Sequence, residues 1–220
     1  MAVELLNIDC MEYMRTQKDN AFDLAIVDPP YGIGESGATN KSRGKLAKAK
    51  DYKAFHGKDK EPPKQEYFDE LKRVSKNQIV WGANHFINRI PFGSPCWLVW
   101  DKDNETCDFA DCELAYTSFK TAVRKFKFTW NGMLQDDMKY KEDRIHPTQK
   151  PVALYQWILQ NYAKPNQRIL DTHLGSGSSA IAAHYFGCDF VGCELDKYYF
   201  DAMKKRFERE TRQLAMNLDG

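Results

Sequence analysis

The most constraining feature of the sequence is the run Arg168-Ile169-Leu170-Asp171-Thr172-His173-Leu174-Gly175-Ser176-Gly177-Ser178-Ser179. It reads as an apolar strand ending in an acid, a glycine turn and the start of a helix. A strand feeding a helix through so short a turn belongs to a sheet whose helices pack on its faces. The glycines let the backbone approach a ligand without a Cβ in the way, and Ser178 is placed to cap the helix. A second apolar stretch, Phe190 to Cys193, follows and ends in Glu194. An acid at that position suits hydrogen bonds from both hydroxyls of a ribose. The turn holds one Gly-x-Gly and lacks the third glycine of a dinucleotide site, so a nucleoside cofactor without phosphates fits better than NAD. The competing reading is a plain glycine turn beside a solvated acid.

The rest of the chain alternates in the same way. Val3 to Ile8, Phe22 to Val27, Gln78 to Trp81 and Cys96 to Trp100 are apolar strand candidates, and Asn20 supplies a turn. Cys10 to Arg15, Tyr67 to Val74, the face Val152, Tyr155, Leu159 and Tyr162, Ser178 to Phe186, and Tyr199, Met203 and Phe207 mark helices. A strand pair is expected around Cys112–Phe119 and Val123–Trp130, with Asp111-Cys112-Glu113-Leu114-Ala115-Tyr116 opening a sheet-edge strand of structural character. These elements predict a single α/β domain over residues 1–220, a doubly wound, mostly parallel sheet. Residues 33–76 and 102–145 are expected to be insertions above the strand ends.

Composition narrows the function classes. The chain is 42% hydrophobic and 29% charged, as in an ordinary globular protein. Lys plus Arg total 32 against 31 Asp plus Glu, so any attraction to nucleic acid must be local. One local excess lies between Lys41 and Lys60, where Lys41, Arg43, Lys45, Lys48, Lys50, Lys53, Lys58 and Lys60 face only Asp51 and Asp59. A second is Lys120, Arg124, Lys125 and Lys127. Both are candidates for phosphate contacts, and equally for solvated loops. No apolar run suits a membrane span, and no leader pattern opens the chain. The six cysteines include no Cys-x-x-Cys, and the five histidines no metal-binding spacing, so no metal site and a reduced, cytoplasmic protein are expected.

Asp28-Pro29-Pro30-Tyr31 follows the apolar strand Phe22 to Val27. Ligands in open α/β sheets sit at such strand ends. Two prolines make a rigid loop that donates no N–H and offers carbonyl acceptors. With the Asp28 carboxylate and the Tyr31 ring, the loop suits an exocyclic amino group on a planar base, which donates hydrogen bonds while its ring stacks. The prolines alone equally suit a turn after a buried strand. Trp81-Gly82-Ala83-Asn84-His85-Phe86 follows another strand and is a candidate wall for the same base.

Taken together, Asp-Pro-Pro-Tyr first and Asp-Thr-His-Leu-Gly-Ser-Gly later resemble the amino-methyltransferases of DNA, in the order of their β class. Ile145-His146-Pro147-Thr148-Gln149-Lys150-Pro151-Val152 resembles the family segment before the glycine motif, and Asn7-Ile8-Asp9-Cys10 fits the strand end that contacts adenine. The resemblance covers roughly residues 1–32, 77–119 and 145–210. It implies a Rossmann-like methyltransferase fold in permuted order, with seven strands, one of them antiparallel, and the Asp28 strand beside the Gly175 strand. It implies S-adenosylmethionine as cofactor and double-stranded DNA, with the target base flipped out, as substrate. Asp28, Pro29, Pro30 and Tyr31 would be catalytic. Asp9 and Cys10 would lie near adenine, Glu194 on the ribose, and Asp171, Gly175 and Gly177 near the methionine portion, with His173 and Ser178 also binding the cofactor. Lys150 would help with the carboxylate, or else be solvated.

The family usually has Asp-Pro-Phe where Asp171-Thr172-His173 stands. His173 then packs as a planar ring near the cofactor or weakens its binding. An Asp at the first loop position is the usual choice for adenine N6 and favours that target over cytosine N4. An RNA or protein-amide methyltransferase, a catalytically silent DNA-binding relative and a nucleotide-dependent oxidoreductase are the rival classes. A solitary methyltransferase, or one with a restriction nuclease on a separate chain, is expected; family members often pair as homodimers.

Overall fold

The computed structural model describes residues 2–34, 61–90, 93–104, 110–131 and 134–212. In chain order the elements are β1 (Val3–Leu6), α1 (Cys10–Thr16), β2 (Phe22–Val27), α2 (Gln65–Val74), β3 (Ser75–Trp81), β4 (Trp97–Asp101), β5 (Cys112–Thr117), β6 (Arg124–Lys127), β7 (Trp130–Asn131), β8 (Leu134–Gln135), α3 (Val152–Tyr162), β9 (Arg168–Asp171), α4 (Ser178–Phe186), β10 (Asp189–Cys193) and α5 (Lys197–Arg212). The main sheet runs β1-β10-β9-β2-β3-β5-β4-β6, and β7 and β8 form a separate two-stranded ribbon. Every neighbouring pair in the main sheet is parallel except those of β5, which is antiparallel to both β3 and β4.

Alternation in β2 explains why the sheet is covered on both faces. Leu24 and Ile26 enter one core with Ile79, Ile169, Ile158 and Ala180, under α3, α4 and α5. Ala25 and Val27 enter the other, with Val80, Leu170, Tyr67 and Leu71, under α1 and α2. A strand buried on both sides reads as a continuous apolar run, as Phe22 to Val27 does. From β9 the chain proceeds through α4 to β10 on one side, and from β2 it reaches β3 on the other. The crevice between β9 and β2 is therefore the topological switch point, where an open α/β sheet takes its ligand. The adjacency of the Asp28 and Gly175 strands is borne out, with Leu24 opposite Ile169 and Ala25 opposite Leu170.

Several expectations need correction. The sheet has eight strands rather than seven. The additional one is β6, which pairs with β4 and not with β5 as the expected strand pair had it. Its sequence, Arg-Lys-Phe-Lys, carries a single apolar residue, and its exposed charges suit an outer edge where unpaired backbone faces water. Residues 102–145 are not all insertion, and β5 is not an edge strand. Ala115, Tyr116 and Thr117 are buried between β3 and β4. Nor does Ser178 cap α4. Gly177 holds that place with φ 77°, and a Cβ there would stand 2.5 Å from Met203 Cγ, so the glycine is needed for packing.

Candidate active site

The loops after β2, β9 and β10 open into one cavity of about 870 Å³, roofed by the segment 144–150 and the ends of β4 and β5. Such a volume accommodates a nucleoside-sized ligand together with a second planar group. At one end it is lined by Asp9, Cys10, Thr172, His173, Gly175, Ser178, Glu194 and Leu195. At the other stand Asp28, Pro29, Pro30, Tyr31, Gly82, His85, Lys102, Glu113 and Lys150.

The second end is an ion cluster. Lys150 Nζ donates to Asp28 Oδ2 at 2.6 Å and reaches Glu113 Oε2 at 2.9 Å. Lys102 Nζ lies 2.6 Å from Glu113 Oε1. Tyr31 Oη lies 2.7 Å from Asp28 Oδ1 and 3.2 Å from Glu113 Oε2. Two carboxylates facing two ammonium groups leave no net charge, which is how ions persist away from water. Burial raises the Asp28 carboxyl above its ordinary value, against the pull of Lys150. Burial also raises Glu113, but the ammonium groups of Lys150 and Lys102 outweigh it and hold that carboxyl at about 2. For Lys150, burial disfavours the ammonium, and the charges of Asp28 and Glu113 reverse the effect and raise it. Of the two expectations for Lys150, the solvated lysine is overturned. Its side chain is only 4% exposed and is committed to Asp28.

Tyr31 is held by the turn after β3. Gly82 sits at φ 68°, and a Cβ there would come within 2.0 Å of Tyr31 Cε1. His85 stacks on the Tyr31 ring, with centroids 5.0 Å apart and planes 14° apart. Burial, then the negative charges of Asp28 and Glu113, keep the phenol well above its ordinary value and therefore protonated.

At the opposite end, Glu194 Oε2 accepts from the Gly175 N–H at 2.9 Å, and Oε1 accepts from the Asp196 N–H at 2.9 Å. Each carboxylate oxygen keeps a further lone pair. Asp9 caps α1, accepting from the N–H groups of Met11 at 2.8 Å and Glu12 at 3.1 Å. Burial and the charge of Asp9 push the Cys10 thiol up to about 12, so it stays neutral. A Cβ on Gly175 would meet the His146 ring at 3.7 Å, in space that now belongs to the cavity. Asp171 and Gly177 do not line the cavity. Asp171 Oδ2 instead accepts from Ser179 Oγ at 2.5 Å and Oδ1 from the His173 N–H at 2.9 Å, fastening the turn from behind. The Ser178 hydroxyl accepts from buried Arg206 at 2.9 Å.

Of the basic candidates, Lys41, Arg43, Lys45 and Lys48 lie outside the described residues. Arg124, Lys125 and Lys127 are exposed on β6, apart from the cavity lining. Lys125 pairs with Asp101 at 3.1 Å and Lys127 with Asp103 at 2.8 Å. Sequence reasoning missed Glu113 and Lys102. The available signal was an acid embedded in the apolar strand run of β5, since a buried carboxylate calls for a cationic partner. Among the described residues no cluster of His, Cys, Asp and Glu could hold a metal ion, and no helix is long and apolar enough to cross a membrane.

Comparison with known proteins places these features among DNA-modifying enzymes. The profile of the family described as DNA methylase matches residues 80–205. The type II methyltransferase M.HinfI of Haemophilus influenzae is 25% identical over 249 residues, covering 92% of this chain and 67% of that protein. Among solved structures, the complex of M1.HpyAVI with SAM superposes with a TM-score of 0.58 at 20% identity, covering 93% of this chain and 98% of that one. The cytosine-N4-specific PvuII DNA methyltransferase gives a TM-score of 0.61 at 11% identity, over 96% of this chain and 91% of that one. At those identities the likeness is one of fold.

Proposed function

The chain belongs to the DNA methylase family, and from that premise we propose that it transfers the methyl group of S-adenosylmethionine to N6 of adenine in double-stranded DNA. The observation that carries the proposal is the shared cavity. It joins the Asp28-Pro29-Pro30-Tyr31 loop to the glycine turn of Thr172–Ser178 across two adjacent strands. When bound, the cofactor supplies a sulfonium-activated methyl group, and the protein supplies placement and electrostatics.

The residues at the glycine-turn end suit such a ligand. Glu194 offers carboxylate lone pairs to the ribose hydroxyls, Asp9 and Cys10 border the adenine, and Gly175 leaves the methionine portion room. At the other end, Asp28 and the Pro29 carbonyl accept the two hydrogens of the target amino group and aim its nitrogen lone pair at the methyl. Their negative charge stabilises the positive charge that develops on that nitrogen. Lys150 favours the ionised form of Asp28, the form that can accept. Tyr31, braced by His85, offers a ring to the base, which must leave the duplex stack to enter. Phosphate contacts fall to Arg124, Lys125 and Lys127, and the exposed ion pairs of Lys125 with Asp101 and Lys127 with Asp103 exchange at little cost.

Asp28 at the head of the loop favours adenine over cytosine, by the resemblance to family members that act on N6. Incubation with labelled cofactor and DNA, digestion to nucleosides and chromatography test the assignment. Label in N6-methyladenine is expected. Label in N4-methylcytosine alone overturns the base assignment, and no label in DNA overturns the activity.

A further inference from the structure

The two polar residues that follow Asp171 have partners buried beneath them. The Tyr67 hydroxyl, carried by α2, lies 2.6 Å from Thr172 Oγ1. Thr172 Oγ1 in turn lies 2.9 Å from His173 Nδ1. The three groups form a line whose proton direction is set at its far end. Tyr67 is 4% exposed, and among the described residues its hydroxyl has no hydrogen-bond partner besides Thr172. Were Thr172 to donate to Tyr67, the phenol proton would be left unpaired in the core, an arrangement that folded proteins avoid. Tyr67 therefore donates to Thr172. Having accepted, the threonine hydroxyl gives its own proton to Nδ1. Nδ1 is then an acceptor, and the imidazole proton resides on Nε2.

Burial pushes the His173 ring down to about 4, so at neutral pH it is uncharged and only the tautomer is at issue. The ring also meets Tyr67 edge-on at 5.6 Å, which fixes its plane. Its Nε2 has no hydrogen-bond partner among the described residues, and the side chain lines the cavity on the side where Asp9 acts on it. We propose that the Tyr67–Thr172 line holds His173 with its proton on Nε2, making it a directed donor to a lone-pair acceptor on the adenosyl group of the cofactor, a ring nitrogen or a ribose oxygen. The proposal rests on the cofactor reading above. A phenylalanine at the same place would present only a ring edge. The Thr172-His173 pair thus substitutes a polar contact for an apolar one and brings its own support from α2.

Nitrogen NMR of the ligand-free protein reads the tautomer directly, with the His173 signals identified by their loss in His173→Phe. The Nε2-protonated form is expected, and Thr172→Val should release it to a mixture. Calorimetry with S-adenosylhomocysteine reads the contact. His173→Phe should weaken binding about tenfold, the effect of one hydrogen bond. His173→Gln, which keeps an N–H donor of similar reach, should recover most of the loss, and Tyr67→Phe should weaken binding less than His173→Phe. An Nδ1-protonated ring in the unaltered chain overturns the proposal, as does His173→Phe binding as tightly as the original. Failure of the unaltered chain to bind at all overturns the cofactor reading and this one together, a pattern distinct from either.

Discussion

Lys150 Nζ sits 2.6 Å from Asp28 Oδ2, a contact between residues 122 positions apart that the sheet brings together at its switch point. The ammonium is what allows a carboxylate to stay charged in so enclosed a place. Asp28 is drawn up by burial and pulled back by Lys150, so its charge depends on a residue that does not itself accept the target amine. The same ammonium bridges to Glu113, which Lys102 holds from the other side.

Replacing Lys150 with methionine should therefore act through the titration of Asp28. Removal of the neighbouring positive charge raises the Asp28 carboxyl further. The acid limb of the methylation rate should move to higher pH, because a larger share of Asp28 is then protonated and unable to accept. A loss of about tenfold or more is expected at pH 7, equivalent to about 1.4 kcal/mol of lost charge stabilisation, and it should recover as pH is raised. Lys150→Arg, which keeps the charge, should leave the limb near its original place. An acid limb unmoved in Lys150→Met would mean that another group limits the rate.

Asp28→Ala should separate binding from chemistry. Asp28 stands at the end of the cavity opposite the glycine turn and Glu194, so S-adenosylhomocysteine should bind with nearly its original affinity in calorimetry. Methylation should fall by about three orders of magnitude, because the acceptor that orients the amino group and stabilises its developing charge is gone. Turnover close to that of the unaltered chain would remove Asp28 from its assigned role.

The residues that sequence could place are those whose signal is local. The glycine turn after β9 and the Asp-Pro-Pro-Tyr loop after β2 are short runs at the ends of apolar strands, so pattern alone sets both elements and the rims they form. The partners of those residues were hidden because they come from far along the chain. Glu113 reads as one more residue of a strand until β5 inserts between β3 and β4 and turns it toward Lys150. Likewise, Tyr67 looks like an ordinary core residue of α2, and only tertiary packing sets its hydroxyl on Thr172. For the edge strand β6, expected within Val123–Trp130, what escapes pattern reading is its partner. With one apolar side chain the strand carries little alternation, and its partner is decided by which backbone edge β4 leaves open.

Asp171 offers a stability test that does not depend on activity. The residue is 1% exposed, and burial raises its carboxyl from 3.8 to about 7 despite the hydrogen bonds from Ser179 and the His173 N–H. The folded state thus holds the proton more tightly than the unfolded one. Its contribution is fully present below about pH 4 and is lost as pH rises through about 7. Asp171→Asn mimics the protonated form and does not titrate. Between pH 4 and 8, thermal or denaturant unfolding should show the unaltered chain losing stability relative to Asp171→Asn, by on the order of 2–4 kcal/mol. Parallel profiles for the two proteins would show that Asp171 is ionised without penalty in the folded state.

Gly82 tests how tightly the Tyr31 ring must be held. It occupies φ 68°, which an L side chain rarely adopts, and an added Cβ would stand 2.0–2.4 Å from Cε1, Cδ1 and Cζ of Tyr31. The ring, rather than the backbone of the β3 turn, is the part free to yield, and yielding takes it off His85 and away from Asp28 Oδ1. Gly82→Ala should cost about 1–2 kcal/mol of stability from the strained backbone. Methylation should drop by about tenfold or more, because a misplaced ring and a lost hydrogen bond to Asp28 both spoil the alignment of the base. Affinity for S-adenosylhomocysteine should hardly change, since Gly82 and Tyr31 lie away from Glu194 and the glycine turn. Turnover retained in Gly82→Ala, in a chain shown by its melting curve to be folded, would mean that the Tyr31 position is not critical to the reaction.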